Sequence, residues 1–448
     1  MRRAFRFIAA GTLSTLLAAG NCLEAQEQKQ KISDLDRERA AKMLDDMHDA
    51  LKKNYYDATF HGIDINARLS EYKERLKKAE TLGDAFRTVA AYLAGLNDSH
   101  TVFIPPRISY RAEYGYQLEM IGDNAFLTHV RPGFDAEEKL HVGDQVLSLN
   151  GFAVNRKDLW QLEYYLNLLD PKPATDFTLR DPSGKIRKEQ VLTKYIERKL
   201  MKDLTAAGGF NDNYNLLFEE EKARHVLRSR YIEQGELIIW KMPVFELTDG
   251  EVDRLIGMAR NHKKLILDLR GNPGGYDFTL QRMLGSFFDH DVKIGVRMTR
   301  KGEKPEIAKT RGNAAFKGDT VVIIDSSSAS AAELFARIMQ LEGRAKIIGD
   351  RSSGRVMESL YYPYHEGVDI QVFYGASITV ADLVMTDGKS LEKVGVTPNE
   401  IVLPTGSQLA EGHDPVLARA AELVGITLDP MAAGKLFPFE WVPLEGHN

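Results

Sequence analysis

The chain has 448 residues, enough for two or three domains that each bury a core. Hydrophobic residues make up 43% and charged residues 27%, the mixture of an ordinary globular protein. A net charge of −5, with no basic block, argues against nucleic acid as the main partner.

The first 25 residues, MRRAFRFIAAGTLSTLLAAGNCLEA, have a basic start, a short apolar run and small residues before a polar segment. This layout predicts a secretory signal cleaved after Ala25; the apolar run is short for a membrane span, and an uncleaved interfacial anchor is the alternative. Cys22 is the only cysteine and lies inside this segment. Asn21 before it departs from the small residue that a lipoprotein signal requires. A mature chain without a thiol has no disulfide, no thiolate metal site and no cysteine nucleophile.

Residues 26–108 are expected to be helical. Ala40, Met43, Leu44, Met47 and Leu51 form one apolar stripe at three-and-four spacing, and Phe86, Val89, Ala90, Leu93 and Leu96 form a second, with Asp84 as its expected cap. The second helix runs into a polar turn, LNDSHTVF (96–103). From 109 to 198 the apolar period shortens to that of strands, joined by Gly, Asn and Asp turns around one helix at RKDLWQLEYYLNLL (156–169). Here GDQVLSLNG (143–151) resembles the PDZ domain. That resemblance implies capture of an extended C-terminus by strand addition, its carboxylate cradled near Tyr114, Gly115 and Tyr116. The alternative is a packing domain that binds nothing.

Residues 199–430 open with a polar stretch of helical character (211–230) and then alternate strand-like and helical runs, an α/β pattern. Strands are expected at ELIIWKMPVF, KLILDLRG, DTVVIID and RAKIIGD, with helices at DGEVDRLIGMAR, TLQRMLGSFF and AAELFARIMQL between them. Residues 431–448 read as an irregular tail.

Within this region VVIIDSSSASAAELFARIMQ (321–340) is a buried strand that empties through four serines into a helix start. A helix start offers free N–H groups and the positive end of a dipole, which stabilise an oxyanion. Ser330 and the N–H of Ala331 stand at that junction. The competing reading is a capping box, Ser-x-x-Glu, in which Ser330 and Glu333 only satisfy backbone donors. Upstream, LILDLRGNPGG (265–275) is a second buried strand, ending in glycines that let backbone approach a substrate closely.

Taken together, the strand–NPGG and strand–Ser–helix elements in this order resemble the tail-specific, or C-terminal processing, serine protease family. The resemblance spans most of residues 90–405. It implies a crotonase-like α/β core behind a PDZ-like domain, with Ser330 as nucleophile and the N–H groups of Gly275 and Ala331 as oxyanion donors. Where the bacterial processing enzymes carry a lysine base, the matching residue is Arg355 in GDRSSGRVMES (349–359). Arginine effectively keeps its proton, so Arg355 is not the base; pairing with a substrate carboxylate, pairing with an internal acid, or simple solvation all stay open for it. Lys346 lies within an apparent strand and matches nothing.

The Ser-His pair in LNDSHTVF resembles the tricorn-like branch of the same family. That branch implies His100 as general base, Ser99 as an orienting hydroxyl and Glu392, in DGKSLEKVGVTPNEIV (387–402), as the completing glutamate. A surface charge at Glu392, or another histidine such as His365, is the alternative. The expected activity is that of an exported serine endopeptidase acting on proteins or peptides in the bacterial periplasm or cell envelope. A non-catalytic peptide-binding relative is the rival. No metal-ligand spacing or phosphate loop is present, and no cofactor is expected.

Overall fold

The computed structural model describes residues 31–106, 110–197, 228–367, 371–441 and 444. The expected export signal, with Ala25, Asn21 and Cys22, lies outside them, as does most of the polar helical stretch 211–230. No helix among the described residues is long and apolar enough to cross a membrane.

Three helices open the described chain: α1 (Asp34–Asn54), α2 (Ile65–Lys77) and α3 (Leu82–Ala94). Each starts on a side-chain oxygen that accepts from an otherwise orphaned N–H: Ser33, Asp64 and Thr81 respectively. For α3 the cap is therefore Thr81; Asp84 stands three residues inside the helix and closes a capping box by accepting from the Thr81 N–H. Both expected apolar stripes are buried. All but Ala40, which packs with Leu76 and Ala85, share one cluster with Phe103 of β1 (Val102–Ile104) and with Tyr374, Ala376 and Ile378 of β18 (Val372–Met385). β1 pairs antiparallel with β18, Val102 opposite Ser377, so the helical segment is stitched to a strand from the far end of the chain.

Next comes a short antiparallel pair, β2 (Tyr110–Glu113) with β9 (Lys194–Glu197), flanking a six-stranded antiparallel sheet. That sheet orders β3 (Tyr116–Ile121), β4 (Asn124–Val130), β5 (Gln145–Leu149), β7 (Ala174–Arg180) and β8 (Ile186–Leu192), with β6 (Phe152–Ala153) on β5. A small helix α4 (Ala136–Lys139) links β4 to β5, and α5 (Leu159–Glu163) runs on as a wider π-helical turn over Tyr164–Leu169. Leu159 and Leu166 from this helical arm bury against Leu127, Val146, Phe177 and Leu179 of the sheet. β3 is an edge strand among the described residues, since it pairs with β4 alone.

The remainder is α/β. β10 (Arg230–Gln234) is antiparallel to β11 (Leu237–Lys241), which begins a parallel run through β12 (Lys264–Asp268), β15 (Asp319–Ile324), β16 (Lys346–Gly349) and β19 (Glu400–Ile401). Apolar residues such as Ile238, Ile239, Ile266, Leu267, Val322 and Ile323 are buried because both sheet faces are covered. On one face lie α6 (Asp249–Ala259), α7 (Asp277–Gly285) and α8 (Ala331–Leu341). On the other lie α10 (Pro415–Leu423) and α11 (Pro430–Gly434), reached after α9 (Gly406–Ala410). A second sheet joins β1, β18, β13 (Val292–Thr299) and β14 (Gly302–Ala308), with β17 (Glu358–Glu366) on β18.

The carboxyl ends of β12, β15 and β16 thus stand side by side. They release the NPGG turn, the serine cluster and the loop containing Arg355 at one edge, the edge where parallel sheets bind ligands. The β3–β4 hairpin is fastened over this edge. The N–H of Gly122 donates to Asp350 at 2.8 Å, Arg156 binds both Gly122 and Asp350, and Ser326 donates to the Met120 carbonyl at 2.7 Å.

Candidate active site

Asp98 organises the turn that carries His100. Its carboxylate accepts from the N–H groups of His100 (2.9 Å) and Thr101 (2.7 Å), and from the hydroxyls of Thr379 (2.9 Å) and Tyr55 (2.8 Å). A short acidic side chain taking donors two and three residues on is an Asx turn, so the motif Asn-Asp-Ser-His-Thr builds its own geometry and then ties it to β18.

Ser99 is 5% exposed. Its N–H donates to one Glu392 oxygen at 2.9 Å and its hydroxyl to the other at 2.8 Å; the same hydroxyl oxygen lies 2.7 Å from His100 Nδ1. The directions follow from the donor inventory. An ionised carboxylate only accepts, so the single Ser99 proton points to Glu392 and the hydroxyl oxygen accepts from Nδ1–H. That tautomer leaves Nε2 of His100 with its lone pair free to take a proton. Burial is the main cause that pushes the imidazole down from 6.5 to about 4; the Arg355 charge acts the same way and Asp98 opposes both. Burial pushes Glu392 up, while the bonds from Ser99 and from the Val356 N–H (3.2 Å) hold it back.

The four serines after β15 divide by role. Ser326 bonds to the β-rich domain, and Ser327 is exposed with its N–H on Asp325. Buried Ser328 donates to the Leu269 carbonyl at 2.8 Å and shapes the turn. Ser330 differs from all three. Its backbone is at φ +52°, ψ −122°, a conformation that costs a non-glycine residue about 1–3 kcal/mol and persists only where the surroundings enforce it. Here its N–H donates to the Arg355 carbonyl (2.7 Å) and to Glu333 (3.1 Å), and its carbonyl accepts from Glu333 N–H at 2.9 Å.

Glu333 supplies the cap, and sequence reasoning underrated it. Fully buried, its carboxylate also accepts from Ser352 (2.5 Å) and from the N–H groups of Gly354 (2.7 Å) and Arg355 (2.9 Å). Burial raises it to about 7 despite these donors. It therefore clamps the 352–355 loop to the start of α8 and to the Ser330 backbone. The spacing Ser-x-x-Glu announced the cap; that the same carboxylate gathers a second loop was visible only in three dimensions.

The NPGG turn closes the other side. The Asn272 side chain donates to the Met242 carbonyl (2.8 Å) and accepts from Gly274 N–H (2.9 Å). Gly274 has φ +100°, and a Cβ there would stand 2.6 Å from the Ser330 Cβ and 3.0 Å from the Ala331 nitrogen. Gly275, at φ +146°, lies against the Phe245 backbone, where a Cβ would meet its carbonyl oxygen at 2.4 Å. Among the described residues neither the Gly275 N–H nor the Ala331 N–H has a protein acceptor.

Arg355 lies between the two halves. Its guanidinium donates to the Ser99 carbonyl at 3.3 Å and lies over the Trp160 ring of α5, 4.9 Å from its centroid. Glu163, Glu333 and Glu392 surround it electrostatically and oppose the burial that lowers it. Of the openings left for this residue, free solvation is removed. Lys346 stands at the amino end of β16, opposite the Ser330 edge of the sheet, and pairs with Glu400 at 2.8 Å. His365 is exposed on β17. Tyr114, Gly115 and Tyr116 line a separate cavity of about 170 Å³ in the β-rich domain, together with Arg131, Glu163 and Asn167. Among the described residues no three His, Cys, Asp or Glu side chains gather to hold a metal ion.

Residues 237–402 match the model of peptidase family S41, and residues 36–94 match the tricorn protease C1 domain. A tail-specific protease of Haemophilus influenzae is 26% identical over 400 residues, covering 81% of this chain and 54% of that protein. A carboxyl-terminal-processing protease of Picosynechococcus is 24% identical over 363 residues, 78% of this chain and 80% of that one. The carboxy-terminal processing protease CtpA of Bacillus subtilis is 30% identical over 153 residues, 34% of this chain and 31% of that one. The chain thus spans about half the length of the Haemophilus relative and about a third of the Bacillus one. In fold it is similar to mature CPAF, with a TM-score of 0.63 at 14% identity over 84% of this chain and 95% of that one. It is also similar to the photosystem II D1 C-terminal processing protease, with a TM-score of 0.50 at 18% identity over 91% of this chain and 100% of that one.

Proposed function

The chain belongs to peptidase family S41, and from that premise we propose that it is an exported serine endopeptidase in which His100 does the work of a lysine base. The core is read as crotonase-like and the 109–198 region as PDZ-like. Ser330 Oγ attacks the scissile carbonyl carbon while Nε2 of His100 takes the hydroxyl proton. The new C–O bond pushes an electron pair onto the carbonyl oxygen, which the N–H groups of Gly275 and Ala331 receive. His100 then returns the proton to the departing amine nitrogen as the C–N bond breaks, and water, activated by the same imidazole, releases the acyl group. Ser99 and Glu392 hold the ring in the tautomer that keeps Nε2 basic and stabilise the imidazolium that forms. Substrates are proteins or peptides, met in the periplasm or cell envelope.

One observation carries this reading: the Ser99 hydroxyl bridges Glu392 and His100 Nδ1, which leaves Nε2 as the proton acceptor. Replacing Ser330 by Ala is expected to lower cleavage of an unfolded protein by at least about 10³-fold and to abolish labelling by a serine-directed phosphonate. Undiminished activity or labelling in that variant ends the proposal. The rival, a peptide-holding scaffold without turnover, draws on the guanidinium beside the imidazole. Retained binding with no cleavage of any unfolded protein would favour it.

A further inference from the structure

The segment Phe437–Trp441, LFPFEW with its preceding leucine, leaves α11 and crosses from the α/β core onto the β-rich domain. Its first contacts are to the core. Phe437 packs against the face covered by α10 and α11 and under the Arg230 guanidinium, and the Pro438 carbonyl accepts from Arg230 at 2.9 Å. Glu440 pairs with Arg228 at 2.9 Å and with Arg230 at 3.4 Å. Its second contacts are to the other domain. Phe439 stacks on the His129 ring of β4, centroids 3.8 Å apart, and Trp441 meets Phe439 edge-on. Trp441 then lines the cavity beside Tyr114, Gly115 and Tyr116, with Arg131 5.4 Å from its ring centroid. Leu444 packs on the apolar core of the same domain.

That cavity lies between β3 and the α5 arm: Gln117 and Leu118 form one wall, Glu163 and Asn167 the other. β3 is the open edge of its sheet among the described residues, so an extended peptide can add to it as a further strand. An aromatic residue of the same chain therefore forms part of the wall of the space a recruited peptide would enter, and narrows it. Large rings on a tether bring much contact area at little entropic cost, since the tether holds them at roughly millimolar effective concentration.

We propose that Phe437–Trp441 is a built-in ligand of the β3–α5 groove, a latch that a substrate segment of aromatic and aliphatic character must displace before the groove can recruit it. The consequence for proteolysis rests on the serine endopeptidase reading; the occupancy of the groove does not. Against a tethered ligand at about 1 mM, a free peptide with a dissociation constant of about 10 µM is weakened about 100-fold.

The test uses the full chain carrying Ser330→Ala, so that turnover plays no part, and a fluorescent peptide with the sequence of residues 435–444. Adding Trp441→Ala is expected to tighten binding of this peptide about 100-fold over the chain with its native tail. Glu440→Arg, which sets like charges beside Arg228 and Arg230 and leaves every ring in place, moves binding in the same direction. Equal affinity for all three chains, or no binding to any, overturns the latch. In the chain with Ser330 restored, both tail variants are expected to lower KM for an unfolded protein several-fold and to leave kcat for a tetrapeptide unchanged. Tighter peptide binding without any cleavage would keep the latch and remove the endopeptidase reading instead.

Discussion

At the scale of single residues, the proton on His100 is set by neighbours that pull in opposite directions. Ser99 and Glu392 favour an imidazolium, because the carboxylate reaches Nδ1 through one hydroxyl. Burial disfavours it most, and the Arg355 charge disfavours it further, so the ring titrates at about 4. A neutral imidazole is what a general base requires, and the pH dependence of kcat/KM reports the base in the free enzyme. Replacing Arg355 by Met keeps an apolar side chain against Trp160 and removes the positive charge. The imidazole then gains protons more easily, its pKa rises, and the acid limb of kcat/KM is expected to move up by about one pH unit. The measurement is a pH profile from 4 to 8 on one peptide; a limb that stays in place separates His100 from the rate. The sequence already showed that arginine cannot serve as the base. It did not show that this arginine packs half-buried on Trp160 and donates to the Ser99 carbonyl, since both contacts span more than a hundred residues.

At the scale of elements, what was legible was whatever is periodic or punctuated locally. The stripes of α1 and α3 and the apolar runs of β11, β12, β15 and β16 appear in the structure at the expected places. The register that carries the His100 turn toward the core was not legible. β1 meets β18 across more than two hundred and fifty residues, and nothing in the three residues Val102–Ile104 names that partner. Nor did the strand-like pattern reveal that Glu333 would hold a second loop. The NPGG turn offers a test of how closely its glycines are fitted. Gly271 and Gly274 both have positive φ, but a Cβ at Gly271 meets nothing within 4 Å, whereas at Gly274 it would overlap Ser330. Gly271→Ala is expected to cost about 1 kcal/mol, from backbone strain alone, and to leave activity intact. Gly274→Ala is expected to cost about 2 kcal/mol or more and to lower kcat by at least about tenfold through displacement of the nucleophile. Urea unfolding and kcat on one peptide, read for both variants, decide it; similar losses in the two would mean that the turn senses strain and not the approach of Ser330.

At the scale of the whole molecule, the β-rich domain and the α/β core share an interface in which carboxyl groups are taken out of water. Burial raises Glu119 of β3 to about 7, and the nearby Asp325 adds to this, against the pull of Lys241, Arg270 and a bond from Thr128. Burial likewise raises Glu163 to about 7, with Arg355 opposing, and, inside the core next to this interface, Glu333 to about 7. In the unfolded chain such groups lose their protons near 4.5. Between that value and 7 the native state holds protons that the unfolded state does not, and the stability this confers is lost as pH rises through 7. Histidines work the other way at lower pH. His100 and His129 are held near 4, mainly by burial, so the unfolded chain binds more protons than the native one between about 4 and 6.5, and stability falls as pH drops through that window. At pH 6.5 an unfolded histidine is still half protonated, so from 6.5 to 8 each of these histidines adds a few tenths of a kcal/mol, less than the three carboxyls together lose. A buried carboxyl titrating near 7 loses on the order of 1 kcal/mol of stability across that interval. Chemical denaturation at pH 6.5 and pH 8 is therefore expected to give a lower midpoint at pH 8, and Glu119→Gln, which cannot ionise, to reduce the difference. A midpoint that is the same at both pH values, in the native chain and in the variant, would mean that these carboxyls ionise without cost and that the interface is not dry.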